Sequence, residues 1–148
     1  MQPFLSQTSE YALRAMVWLA NESPNSPTCA KDLSEGSGVP IHYLSKVLRR
    51  LVLADLLTSR KGLGGGFALA RSPSEIPFSD ILKAVDAYPS LDRCAFGWGA
   101  CNSQHPCPLH DSVAGLGDNF RQWADSTTLQ DTVGKMSVGD IKKLHGES

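Results

Sequence analysis

The most informative part of the sequence is the run Leu56-Leu57-Thr58-Ser59-Arg60-Lys61-Gly62-Leu63-Gly64-Gly65-Gly66-Phe67-Ala68-Leu69-Ala70-Arg71. Its two ends, 56–60 and 67–71, predict short strands, and the glycine-rich run between them predicts the tip of a β-hairpin. Glycine lets the backbone approach another molecule closely, and Arg60 and Lys61 add positive charge beside the tip. Such a hairpin suits the phosphate backbone or the minor groove of DNA. No Gly-Lys-Ser/Thr follows, which excludes a phosphate-binding P-loop.

The residues before this hairpin predict a helix-turn-helix. A short helix at 29–36 is followed by the tight turn 38–40 and by a strongly amphipathic helix at 40–54. The inward face of that second helix is predicted to carry Ile41, Leu44, Val47, Leu48 and Leu51. The predicted DNA contacts are His42, Tyr43, Ser45, Lys46 and Arg49 in the major groove, with Arg60, Lys61, Gly64 and Gly65 of the hairpin on the backbone or minor groove. A helix-turn-helix followed by a hairpin is a winged helix.

Three further helices complete the predicted fold within residues 1–127. One lies at 9–21, capped by Thr8 or Ser9, and another at 77–87. The third follows Pro108, and its apolar residues have the 4-3-4-3 spacing of a coiled-coil-like pair: Leu109, Val113, Leu116, Phe120 and Trp123. This spacing predicts dimerisation, and the alternative is that the helix packs on its own domain. A last helix is predicted at 138–144.

The fold class is therefore mainly α, a winged helix-turn-helix with a β-hairpin wing and a long C-terminal dimerisation helix. We divide the chain into a DNA-binding domain at 1–88, a cysteine loop at 89–110, the dimerisation helix at 108–127 and a C-terminal extension at 128–148. The net charge of −1 hides a surplus of five positive charges within 46–71. That surplus favours a polyanion-binding face, although a solvated helix face would look similar.

Other function classes find little support in the composition. No apolar run is long enough to span a membrane and no export signal is present, so a cytoplasmic protein without membrane contact is expected. We find no dinucleotide-binding fingerprint and no nucleophile–base pattern, so an enzyme is not expected. In a reducing compartment, clustered cysteines indicate metal or redox chemistry rather than disulfides.

Three of the four cysteines, Cys94, Cys101 and Cys107, lie in one loop broken by glycine and proline. Thiolate is the ligand that soft metals and iron–sulphur clusters select, so the loop predicts such a centre. Pro108 is predicted as the first helical residue, which would put Cys107 at the helix N-terminus, where the helix dipole favours thiolate. His110 on the first turn could add a nitrogen ligand. Cys29, far from the loop, is predicted to be a small buried hydrophobic residue.

Two alternatives remain open at this point. One is a structural zinc site formed by the three loop cysteines and His110, although structural zinc sites usually pair their cysteines more closely in sequence. The other is a cluster-free regulator whose thiols respond to oxidants by forming a disulfide.

Four segments together resemble the Rrf-two family of bacterial winged-helix regulators, which includes the IscR, NsrR and RirA types. They are Tyr11-Ala-Leu-Arg-Ala-Met, Val39-Pro-Ile-His-Tyr-Leu44, the run Lys61–Arg71, and Ile81-Leu-Lys-Ala-Val-Asp86, and the likeness extends from about residue 5 to 126. The resemblance implies a homodimer that binds a roughly palindromic double-stranded DNA operator. It also implies transcription control through a two-iron or four-iron iron–sulphur cluster on the loop.

The resemblance also implies a ligand set. Cys94, Cys101 and Cys107 match the three cluster cysteines. His110 falls where the IscR type has a histidine ligand, and Glu10 falls where the NsrR type has a carboxylate from the partner subunit. Glu10 is favoured because its bond would tie the cluster of one subunit to the DNA-binding domain of the other. The first cysteine gap has six intervening residues where the family usually has five.

Overall fold

The glycine-rich stretch forms the expected hairpin, which here is called the wing. In the computed structural model, which describes residues 3–135, strand β1 (Leu57–Arg60) pairs antiparallel with β2 (Gly66–Leu69). Thr28 pairs with the second strand, since its N–H donates to the Phe67 carbonyl at 2.9 Å and the Phe67 N–H donates back at 2.8 Å. The wing is therefore attached to the residues just before the helix-turn-helix.

The helix-turn-helix has the predicted order and turn. Helix α1 spans Gln7–Glu22, α2 spans Ala30–Ser37 and α3 spans Ile41–Leu53. The turn between α2 and α3 depends on Gly38, whose φ of 74° favours glycine. The N-cap of α1 is Ser6, whose side chain accepts from the Ser9 N–H at 3.2 Å, so the predicted caps were wrong by two residues or more.

The core lies where α1, α3 and the following α4 (Phe78–Ala84) meet. Its fully buried side chains include Met16, Leu19, Leu33, Leu44, Leu48, Leu51, Ile76 and Ile81. Two burial predictions were wrong. Ile41 is 47% exposed because it begins α3 ahead of the first buried turn, and Cys29 is exposed because it is the N-cap residue of α2.

The last helix, α5, spans His110–Ser126 and packs on α4 through aromatic rings. Trp123 meets Phe78 edge-on with centroids 5.7 Å apart, and Phe120 meets Tyr88 at 5.6 Å. Leu116, in contrast, is 68% exposed. The 4-3-4-3 stripe is thus only partly covered by the chain itself: Phe120 and Trp123 contact other aromatic rings, but Trp123 is still 40% exposed and Leu116 faces outward.

Short 3-10 turns at Pro73–Glu75 and Leu129–Thr132 close the fold, and Leu129 is buried in the core. None of the helices described between residues 3 and 135 combines the length and apolar character needed to cross a bilayer. The predicted helix at 138–144 lies outside the described residues.

Candidate functional site

The first part of the cysteine loop is a tight turn. Cys94 donates its N–H to the Gly99 carbonyl at 2.9 Å, and Gly97 donates its N–H to the Cys94 carbonyl at 2.9 Å. Gly97 and Gly99 have φ values of 76° and 91°, a conformation that side-chain-bearing residues rarely adopt. This two-glycine turn lies within the first cysteine gap.

All three loop cysteines and His110 line one cavity of about 370 Å³. Each of the three thiols is partly buried. Cys101 Sγ lies 3.0 Å from His110 Nδ1, and the Cys101 N–H donates to the Asp92 carbonyl at 2.7 Å. The fold thus brings four residues from a segment of 17 positions to the lining of one cavity.

Backbone amides favour thiolate at one of these cysteines. The pKa of Cys94 is lowered, chiefly because the Phe96 N–H donates to its sulfur. Burial opposes this shift, while the amides of Trp98 and Gly97 and the Cys107 side chain reinforce it. Thiolate is the form of cysteine that binds metals and attacks disulfides, so Cys94 is the more reactive for this shift.

The helix after the loop begins later than predicted. Pro108 and Leu109 form a turn, α5 starts at His110, and the His110 N–H donates to the Cys107 carbonyl at 3.0 Å. Cys107 therefore precedes the helix by three residues. Because the influence of the helix dipole falls off within a turn, the predicted effect on Cys107 is weakened.

A cluster and a single metal ion make different demands on the arrangement of the thiols. Among residues 3–135, no three His, Cys, Asp or Glu side chains converge closely enough to hold one metal ion. A zinc site needs that convergence, since all its ligands bond to one atom. A cluster does not, because its ligands bond to different irons. Three thiols and one imidazole around one cavity are therefore a donor set that an iron–sulphur cluster can use.

The two candidates for a fourth ligand lie in different places. His110 lines the cysteine cavity. Glu10 lies in the first turn of α1 and is not among the described residues that line this cavity. Within one chain, the structure therefore brings His110 to the thiols, and Glu10 could act only through a partner subunit.

The outer face of α3 presents the predicted DNA contacts to solvent. The exposed residues there are His42, Tyr43, Ser45, Lys46 and Arg49, and Arg60, Lys61 and Gly64 of the wing are exposed as well, with Gly65 partly buried. The His42 and Tyr43 rings lie 4.4 Å apart, and the Tyr43 ring lies 5.5 Å from that of Tyr11 on α1. The aromatic contacts hold Tyr43 against α1.

Sequence reasoning missed the contacts that hold the cysteine loop in place. Arg121 of α5 pairs with Asp92 at 2.7 Å and with Asp118 at 2.9 Å. Arg50 of α3 donates from Nη1 to the Val85 carbonyl at 3.0 Å. No local pattern reveals the Arg121–Asp92 and Arg50–Val85 contacts, because these partners are 29 and 35 residues apart in sequence.

A family model described as Rrf2, iron-dependent transcriptional regulator, matches residues 5–135. The chain belongs to the Rrf2 family. It is also 30% identical over 145 residues to the HTH-type transcriptional regulator IscR of Cronobacter sakazakii, an alignment that covers 97% of this chain and 89% of the relative. The predicted family is thus confirmed, and this Rrf2 protein is a transcriptional regulator rather than an enzyme.

Solved structures confirm the winged-helix fold of this Rrf2 chain. CymR, the global cysteine regulator of B. subtilis, superimposes with a TM-score of 0.76 at 23% identity, over 92% of this chain and all of CymR. The T. potens IscR structure gives a TM-score of 0.67 at 23% identity, over 100% of this chain and 93% of that one. At these identities the structures establish the shared fold.

Proposed function

We propose that this regulator is a homodimer whose operator binding is controlled by an iron–sulphur cluster on Cys94, Cys101 and Cys107. The main support for this proposal is that three partly buried thiols and one imidazole line the same cavity. The lowered pKa of Cys94 supports it, because a thiolate ligand is already favoured there. When bound, the cluster supplies a centre that responds to redox poise, nitric oxide or iron supply.

His110 is the proposed fourth ligand within the chain. Its ring reaches Cys101 and the cavity without help from another subunit, whereas Glu10 depends on the dimer. Imidazole also suits iron better than a hard carboxylate in a sulfur-rich site. The variants His110→Ala and Glu10→Ala, each loaded with cluster in the absence of oxygen, distinguish the two candidate ligands. The visible spectrum of the cluster and its lifetime in oxygen should change in His110→Ala and stay unchanged in Glu10→Ala.

Iron and sulphide analysis of protein purified without oxygen tests the cluster directly. Cys94→Ala, Cys101→Ala and Cys107→Ala should each lose iron and visible colour. Cys29→Ala is the matched control, because Cys29 is exposed and far from the cavity in sequence, and it should keep both. Colourless, iron-free wild-type protein after anaerobic purification and reconstitution would refute cluster control.

DNA binding is proposed to use the exposed face of α3 and the wing. Each phosphate neutralised by Lys or Arg releases counterions, so affinity should fall steeply with salt, with a slope of about 0.9 per contact. Gel-shift assays on the regulator's own promoter at several salt concentrations measure the slope. The absence of a shift with both the cluster-loaded and the cluster-free protein would refute operator binding.

A direct thiol sensor is the second candidate, favoured by the three partly buried thiols that line one cavity. Oxidation would join two thiols as a disulfide, with two electrons and two protons passing to hydrogen peroxide, which is reduced to two molecules of water. Iron-free protein whose DNA binding is changed by peroxide and restored by a thiol reductant would establish this alternative.

A further inference from the structure

The segment of chain that leads to the cysteine loop begins where α4 ends. Asp86 adopts a left-handed conformation with a φ of 52°. The Ala87 N–H donates to the Leu82 carbonyl at 2.8 Å, and the Asp86 N–H donates to that of Lys83 at 3.2 Å. These are the two hydrogen bonds of a Schellman helix end, which satisfy the carbonyls of the last turn.

Neither of those two bonds uses the carbonyl of Val85, the C-cap residue, which is 1% exposed. That carbonyl instead accepts the 3.0 Å bond from the Arg50 guanidinium. A cation at the C-terminal end of a helix is electrostatically favourable, and a charged donor makes the bond stronger than a neutral one would. Arg50 therefore joins α3, which carries the proposed DNA contacts, to the point where the chain leaves α4.

Residues 86–93, which we call the connector, run from that point to Cys94. Tyr88 packs edge-on against Phe120, and Leu91 lies over Gly117 of α5, where an added Cβ would be 3.6 Å from the Leu91 Cβ. At its far end, the Asp92 carbonyl accepts the N–H of Cys101. The connector is thus held by α3 at one end and by a proposed ligand residue at the other.

We propose that Arg50 is a positioning residue that couples α3 to the cysteine loop through the Val85 carbonyl and the connector. The inference rests on the proposed function. It also gives one charge of the basic segment 46–71 a partner within the chain, since the exposed Arg50 donates from Nη1 to the Val85 carbonyl. Arg49, which is also exposed, stays on the predicted DNA-binding face of α3 and supplies the matched charge there.

The test compares Arg50→Gln with the matched variant Arg49→Gln, which removes the same charge one position away. Arg50→Gln should keep the visible spectrum and the wild-type salt slope of DNA binding. It should reduce the ratio of affinities between cluster-loaded and cluster-free protein by at least about fivefold, the lower end of typical couplings between sites. Arg49→Gln should reduce the salt slope by about one and leave that ratio unchanged.

A second measurement needs no cluster. In the cluster-free protein, backbone hydrogen–deuterium exchange over 85–94 should be faster in Arg50→Gln than in the wild type, and unchanged in Arg49→Gln. Should Arg50→Gln be too unstable to assay, Arg50→Lys keeps the charge and one donor. It should show smaller changes of the same sign in both the exchange and the ratio.

The outcomes separate the two proposals. Wild-type protein that binds DNA equally with and without the cluster would refute cluster control, and the coupling role of Arg50 with it. If the wild type shows a clear difference in DNA affinity between its cluster-loaded and cluster-free forms, and Arg50→Gln keeps that difference, only the role of Arg50 is refuted. The same holds if Arg50→Gln reduces the salt slope of DNA binding as much as Arg49→Gln does.

Discussion

Gly66 is the position at which a single methyl group should detach the wing from the helix-turn-helix. Its φ is 141°, a conformation that other residues rarely adopt. A Cβ there would lie 2.3 Å from the Thr28 carbonyl oxygen and 2.4 Å from its carbon. Both are backbone atoms, so no side-chain rotation can relieve the overlap, and Gly66→Ala must displace Thr28 or the strand.

The cost of this substitution has two parts. Displacing Thr28 breaks its paired bonds with Phe67, and a typical intramolecular hydrogen bond contributes about 1 kcal/mol net, so this part is about 2 kcal/mol. The unfavourable backbone conformation adds about 1–3 kcal/mol. Gly66→Ala should therefore lower the free energy of unfolding by about 3–5 kcal/mol, a large share of the roughly 5–15 kcal/mol of a typical domain.

Urea denaturation of the cluster-free protein, followed by circular dichroism, measures this loss. Gly64→Ala is the control: Gly64 also has a positive φ, of 74°, but its Cβ would meet nothing within 4 Å, so only about 1–2 kcal/mol should be lost. Amide exchange adds a local readout, because the Thr28 and Phe67 N–H groups should lose protection in Gly66→Ala alone. Equal stability losses in the two variants, with both amides still protected, would refute the role assigned to the Thr28 contact.

Three further predictions concern other parts of the chain. Asp86→Gly should raise the free energy of unfolding by up to about 1 kcal/mol in urea denaturation, because glycine adopts a left-handed conformation without steric cost; a loss of stability would contradict this. Leu116→Glu should give a monomer in light scattering with unchanged helix content, since Leu116 is exposed in the single chain; a persisting dimer would move the interface elsewhere. Because folding lowers the pKa of Cys94, its thiolate should persist to lower pH in the folded cluster-free protein than in urea. Iodoacetamide labelling of Cys94, followed by mass spectrometry at several pH values, should show this difference. Identical labelling in the folded and the urea-unfolded protein at every pH would refute the effect of the loop amides on Cys94.

Much of the fold could be predicted from the spacing of apolar residues within single helices and strands. The apolar spacing of Leu44, Val47, Leu48 and Leu51 correctly predicted the buried face of α3, because helical periodicity alone sets which side chains share a face. The helix boundaries were less accurate. Pro108 was predicted as the first residue of α5, but the helix begins at His110, because the preceding residues are held in the cysteine loop and form a turn.

Residue types at short, fixed spacings were enough to predict the winged-helix order, the Rrf2 family and the three clustered thiols. How these parts are joined became apparent only from the packing of the folded chain. It placed Thr28 against Phe67, Arg50 against Val85 and His110 beside Cys101. It also divided the α5 stripe between contacts within the chain and an exposed surface. Such contacts arise when whole elements pack, and packing is set by the shape of the complete core, which no local spacing encodes.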